Sequence, residues 1–130
     1  MIVVDTNVIA CLYLPTDFTQ KAEELPVRDS EWAAPVLWRS ELRNVLALYL
    51  RKELLDFDEA FAIQTEAEAL LSDREYEMNS FDVLRLARDS GCSAYDCEFV
   101  SLATRLSVPF VTTDKKILAA FPSIAVSLSS

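Results

Sequence analysis

Two aspartates stand just after short apolar runs that read as strands: Asp5 follows Ile2-Val3-Val4, and Asp114 follows the run from Pro109 to Thr112. In an open parallel sheet, sites form in the crevice beyond the carboxyl ends of the strands, so both acids fall where a site would be. Each also suits the N-cap of the helix that follows, a role that needs no function. Asp96 lies in the first turn of a helix opened by Ser93, where Ser93-x-x-Asp96 resembles a capping box. Asp96 and Glu98 point about 200° apart on a helix of 3.6 residues per turn. Glu98 shares a face with Arg105 and reads as solvated, whereas Asp96 lies above Val100 and Ala103, on the side turned toward the protein. A carboxylate aimed inward is costly unless a cation or a set of backbone donors meets it. Glu41 borders the Leu42 stripe of a long helix, between Arg39 and Arg43; its local pattern is that of an exposed glutamate with charged neighbours two residues away.

Carboxylate is most of what the sequence offers for chemistry. The 130 residues include no histidine, a single glycine (Gly91) and three cysteines, which excludes His-based triads, His-containing zinc sites and Gly-rich phosphate loops. Cys11, Cys92 and Cys97 are odd in number and lack a CxxC pair, so they read as reduced, buried thiols. With 52% hydrophobic and 25% charged residues, one globular domain spanning residues 1–130 is expected. The N-terminus carries no basic region ahead of Asp5, and the uncharged stretch from Thr6 to Thr16 is short of the roughly 20 apolar residues that span a bilayer. The expected location is the cytoplasm, with no membrane contact.

The elements that must position these acids can be read in outline. Ile2–Val4 predicts a strand, Asp5-Thr6-Asn7 a cap, and a helix follows through Leu14. Further helices are expected over 16–25, 36–52, 58–71, 81–88 (closed by Gly91), 93–106 and 115–121. Short strands are expected at 32–34, 75–78, 109–112 and 124–128. The 93–106 helix places Tyr95, Phe99, Leu102 and Leu106 on one stripe. Trp32, Trp38, Tyr49 and Phe61 read as core or half-buried packing rather than base-stacking platforms. Strands alternating with helices imply an α/β fold with a parallel sheet covered on both faces.

Four segments taken together resemble the PIN-domain family, and within it the VapC-like toxins of bacterial toxin–antitoxin pairs: Ile2-Val3-Val4-Asp5-Thr6-Asn7, Ser40-Glu41-Leu42, Ser93-Ala94-Tyr95-Asp96 running into the Phe99–Leu106 helix, and Val111-Thr112-Thr113-Asp114. The resemblance implies a three-layer α/β/α sandwich around a parallel sheet of about five strands. It implies that Asp5, Glu41, Asp96 and Asp114 converge on one acidic pocket, with supporting polar roles for Thr6, Asn7 and Thr112. It further implies an endoribonuclease that depends on Mg²⁺ or Mn²⁺, with Asp5, Asp96 and Asp114 as metal ligands and Glu41 as a ligand or a water-positioning base. A VapB-like antitoxin and a homodimer complete the expectation. Some relatives carry another acid just after the fourth; here Lys115, Lys116 and Ile117 stand there. Two rival readings are a metal-dependent phosphatase of another α/β family and a non-catalytic metal- or RNA-binding module. Against the first, Asn7 stands where a DxD motif would place its second Asp.

A formal charge of −9 argues at first against a partner with a phosphate backbone. The charge is unevenly spread. Residues 53–77 hold nine of the 21 acids and one of the 12 bases, for a net −8, and the remainder nets −1. With four pocket carboxylates set aside that remainder becomes +3, and the 53–77 segment reads as a solvated helical face.

Overall fold

The computed structural model describes residues 1–128; the last two positions of the expected 1–130 domain lie outside that range. In chain order the elements are β1 (Ile2–Val4), α1 (Thr6–Tyr13), α2 (Thr19–Arg28), β2 (Trp32–Pro35), α3 (Trp38–Arg51), α4 (Phe57–Leu70), β3 (Glu75–Tyr76), α5 (Ser80–Ser90), α6 (Ala94–Leu106), β4 (Phe110–Thr112), α7 (Lys115–Ala120) and β5 (Ala125–Ser127). The five strands form one parallel sheet in the order β3-β2-β1-β4-β5. β1, β2 and β4 are buried along their whole length, as apolar runs do when a parallel sheet is covered on both faces.

Strand order dictates the layers. The chain moves outward on one side of β1 through β2 to β3, then crosses back to β4 and on to β5. Right-handed crossovers put α1–α4 on one face and α5–α7 on the other. α6 accordingly packs on β1, β2 and β4, with Phe99 of α6 stacked on Phe110 of β4 at 5.7 Å between centroids. The direction of travel reverses between β1 and β4, the position at which open α/β sheets form their crevice. Register completes the placement: Val4 lies opposite Val111, so Asp5 emerges beside Thr112.

Several expectations are corrected in detail. α2 begins at Thr19, not Thr16, because Thr16 is held in a turn by hydrogen bonds with Thr19 and Phe18, and the helix continues past Pro26 to Arg28. β3 stops at Tyr76, whose carbonyl takes the Val36 N–H. Phe61 is 64% exposed because the inward stripe of α4 is Ala60, Gln64 and Ala67, and Phe61 lies 100° from it. Tyr95, in the first turn of α6, is 63% exposed while Phe99 and Leu102 are buried.

The 53–77 segment is only partly a solvated face. Glu66 is exposed, but Glu68 pairs with Arg39 at 3.0 Å and Arg43 at 3.9 Å, and Glu75 pairs with Arg39 at 2.6 Å. Charge reversal at Glu66 is therefore expected to leave stability within about 0.5 kcal/mol of wild type, as surface substitutions usually do. Glu68→Lys, which sets a cation among Arg39 and Arg43, is expected to lower the melting temperature measurably. The three cysteines are free and buried, as expected.

Candidate active site

Asp5 is the N-cap residue of α1 by position, but its carboxylate makes no side-chain cap hydrogen bond. It turns instead to β4. Thr112 Oγ1 donates to Asp5 Oδ2 at 2.7 Å, and Asn7 Nδ2 donates to the same atom at 3.3 Å. Thr112 Oγ1 also accepts the Asp114 N–H at 3.0 Å, and Asn7 Oδ1 accepts the Thr113 N–H at 3.4 Å. The β1 and β4 ends are thus laced together around one carboxylate that is only 8% exposed. Its pKa is raised from 3.8 to about 6, chiefly by burial; the Thr112 hydrogen bond opposes the shift, and the charges of Glu41 and Asp96 add to it. Removing the hydroxyl in Thr112→Val takes away the donor that orients Asp5. The Asp5 pKa, followed by NMR titration, is expected to rise further in this variant, because that hydrogen bond opposes the effect of burial.

Glu41 comes from the first turn of α3 and is half-buried, not exposed as its local pattern indicated. Thr6 Oγ1 donates to its Oε1 at 2.7 Å. Burial raises the Glu41 pKa, the Thr6 bond lowers it, and the charges of Asp96 and Glu98 raise it again. Arg39 and Arg43, its neighbours in sequence, are engaged elsewhere with Glu68 and Glu75, so neither neutralises it. Sequence reasoning missed this, because positions two apart on a helix do not share a face.

Asp96, in the first turn of α6, acts on both Asp5 and Glu41 as a charge neighbour. Its backbone N–H is capped by Ser93 Oγ at 3.1 Å. Glu98 is corrected from its solvated reading: it is half-buried, burial raises its pKa, and its charge is felt at Glu41. The signal available in the sequence was the two-residue spacing from Asp96, whose 200° separation pointed away from the site. Asp114 keeps the plain capping role, its Oδ1 accepting from the Lys116 and Ile117 N–H groups at 2.8 and 3.4 Å. It is tied to the others through Thr112.

Every donor in this crevice is oxygen or a side-chain amide, a set suited to hard cations such as Mg²⁺ and Mn²⁺. Among the described residues no ion pair involves Asp5, Glu41, Asp96 or Asp114. A buried carboxylate with like charges around it and no cation is the kind of group a divalent ion stabilises. Among the described residues no three acidic or cysteine side chains are gathered closely enough to hold an ion. A cavity of about 440 Å³ lies at the other end of β4, lined by Ala103, Val108, Ile124 and Val126 among others, with no acid in its wall.

A parallel sheet of this order, with acids at the ends of β1 and β4 and at the starts of α3 and α6, defines a class. The PIN domain model matches residues 2–122, and the chain belongs to that family, whose members are nucleases. It is similar to Ribonuclease VapC3 of Pyrobaculum aerophilum, at 29% identity over 126 residues covering 95% of this chain and 96% of that protein. In fold it resembles the crystal structure of PAE2754 from Pyrobaculum aerophilum, with a TM-score of 0.79 at 21% identity over 98% of this chain and 83% of that one. It also resembles a toxin–antitoxin complex from Klebsiella pneumoniae, with a TM-score of 0.65 at 15% identity over 98% of each chain.

Proposed function

We propose that this chain is a Mg²⁺- or Mn²⁺-dependent endoribonuclease, the toxin of a VapBC-type pair, and that Asp5, Glu41, Asp96 and Asp114 are its working acids. The observation that carries the reading is Asp5: a carboxylate buried at the sheet's switch point, held by Thr112 and Asn7, with a raised pKa and no cationic partner among the described residues. Asp5 and Asp96 would hold the metal, with Asp114 joining directly or through water. When bound, the ion supplies a water of lowered pKa and neutralises charge on the phosphoryl oxygens. Glu41, oriented by Thr6, accepts the proton from the attacking water. Thr112 and Asn7 fix the Asp5 oxygens so that little reorganisation is needed. The absence of histidine is consistent with this chemistry.

The same reading includes a VapB-like antitoxin that places a basic side chain among these carboxylates, a homodimer, and a cytoplasmic location. Support comes from the similarity to a ribonuclease and to a toxin solved with its antitoxin. No helix among the described residues is long and apolar enough to cross a membrane. The test is cleavage of a single-stranded RNA by purified protein with Mg²⁺, compared with chelator and with Asp96→Asn. Both are expected to remove activity; cleavage that survives in Asp96→Asn would belong to a contaminant or to another site.

A further inference from the structure

We propose that Glu75 is a positioning residue for Glu41, setting the rotation of α3 about its own axis. The inference rests on the reading of Glu41 as part of the active site. Glu75 lies on β3, the two-residue edge strand, and its side chain is 14% exposed. It accepts three hydrogen bonds from the first two residues of α3. Trp38 Nε1 donates to Oε2 at 2.8 Å, Arg39 Nε to Oε2 at 2.6 Å, and Arg39 Nη2 to Oε1 at 2.6 Å. Arg39 Nη1 donates to Glu68 Oε1 at 3.0 Å, and Gln64 Nε2 reaches the Arg39 carbonyl at 3.3 Å. A strand and a neighbouring helix thus grip one side of the first turn of α3. Planar, two-point pairing of this kind fixes orientation as well as distance.

Glu41 sits two residues after Arg39 and so points about 200° away from it. That is the side facing α1, where Thr6 waits. The gripped side and the working side belong to one helical turn, so they move together. A carboxylate about 5–6 Å from the helix axis moves about 1 Å for a 10° rotation, and a misplacement of that size at a reacting group costs on the order of 100-fold. The buried Trp38, Leu42 and Leu46 hold the inward face of α3, and the acid on the edge strand adds a directional restraint at its first turn.

The experiment compares wild type, Glu75→Gln, Glu41→Gln, the double variant, and Asp56→Ala. The last removes the N-cap of α4, lowering stability without touching α3. Cleavage of a single-stranded RNA with Mg²⁺ gives kcat and KM, and the Thr6 methyl resonance reports the Thr6–Glu41 contact. Glu75→Gln is expected to lower kcat tenfold or more with KM within twofold, to shift the Thr6 resonance, and to add less than twofold in the Glu41→Gln background. Arg39→Lys, which gives up the planar two-point pairing while keeping the charge, is expected to fall in the same direction and serves if Glu75→Gln does not fold. Asp56→Ala is expected to keep both kcat and the Thr6 resonance. A Glu75→Gln protein that behaves like Asp56→Ala, or a loss that multiplies fully in the Glu41→Gln background, would overturn the proposal. Should wild type cleave no RNA, the nuclease reading fails; the Thr6 resonance still decides the positioning role, upheld by a shift in Glu75→Gln alone and overturned by none.

Discussion

Asp5→Asn is expected to abolish RNA cleavage, by about a thousandfold or more, and at the same time to make the metal-free protein more stable. In the proposed assignment Asp5 would be an oxygen ligand of a metal whose charge is worth several kcal/mol to the reaction, and the activity loss follows from removing it. The stability gain follows from linkage. Asp5 has its pKa raised from 3.8 to about 6, so the folded state binds that proton more tightly than the unfolded chain. The stability this contributes is complete below about pH 4 and is lost as pH rises through about 6. Above that, the ionised group costs the fold about 3 kcal/mol, taking ~1.4 kcal/mol per unit. Asparagine removes the charge and keeps an acceptor for Thr112. Differential scanning calorimetry at pH 7.5 with chelator should therefore place the variant roughly 10 °C above wild type. A variant that is inactive and also less stable would mean that Asp5 is a structural group.

Metal reverses the order. In wild type, Mg²⁺ or Mn²⁺ at pH 7.5 is expected to relieve the repulsion among Asp5, Glu41 and Asp96, and ligand at 100 times Kd would add about 2.7 kcal/mol of stability. In Asp5→Asn the same addition changes little. Two melting curves thus exchange places: Asp5→Asn melts higher in chelator, and wild type overtakes or closes on it with metal. The pH dependence follows the same logic. Metal-free wild type should melt higher at pH 5 than at pH 7.5, the reverse of ordinary acid sensitivity, and saturating metal should flatten or invert that slope. Equal melting temperatures with and without metal across this range would remove the cation from the account.

The parts of the site that were legible in the sequence are those whose position follows from a strand end. Asp5 and Asp114 follow apolar runs, and the α/β alternation places both at the carboxyl edge. What pattern alone left open was the direction of each side chain. Asp5 and Asp114 had the same capping explanation; Asp114 caps its helix, and Asp5 does not. The difference is a hydroxyl at Thr112, 107 positions away in the chain. Glu41 read as a surface residue because its partner Thr6 is 35 positions distant and its flanking arginines turn the other way. Glu98 and Tyr95 were misjudged for one reason: helical stripes assume that the whole helix lies against the sheet. In α6 the first-turn Tyr95 is exposed, and the charge of the half-buried Glu98 is felt at Glu41. The acids of residues 53–77 looked uniform in composition; Glu68 and Glu75 separate from the rest only once α3 and β3 are neighbours in space.

The most direct test of the account is calorimetric titration of the wild-type protein with Mn²⁺ at pH 6, run in two buffers of different ionisation enthalpy. Metal binding to a carboxylate displaces its proton. With Asp5 near half-protonation at its pKa of about 6, the account predicts binding with release of roughly half a proton per ion, falling toward zero at pH 8. Binding that releases no proton at pH 6, or no binding at all, would contradict the claim that the buried carboxylate at the sheet's switch point is the metal site.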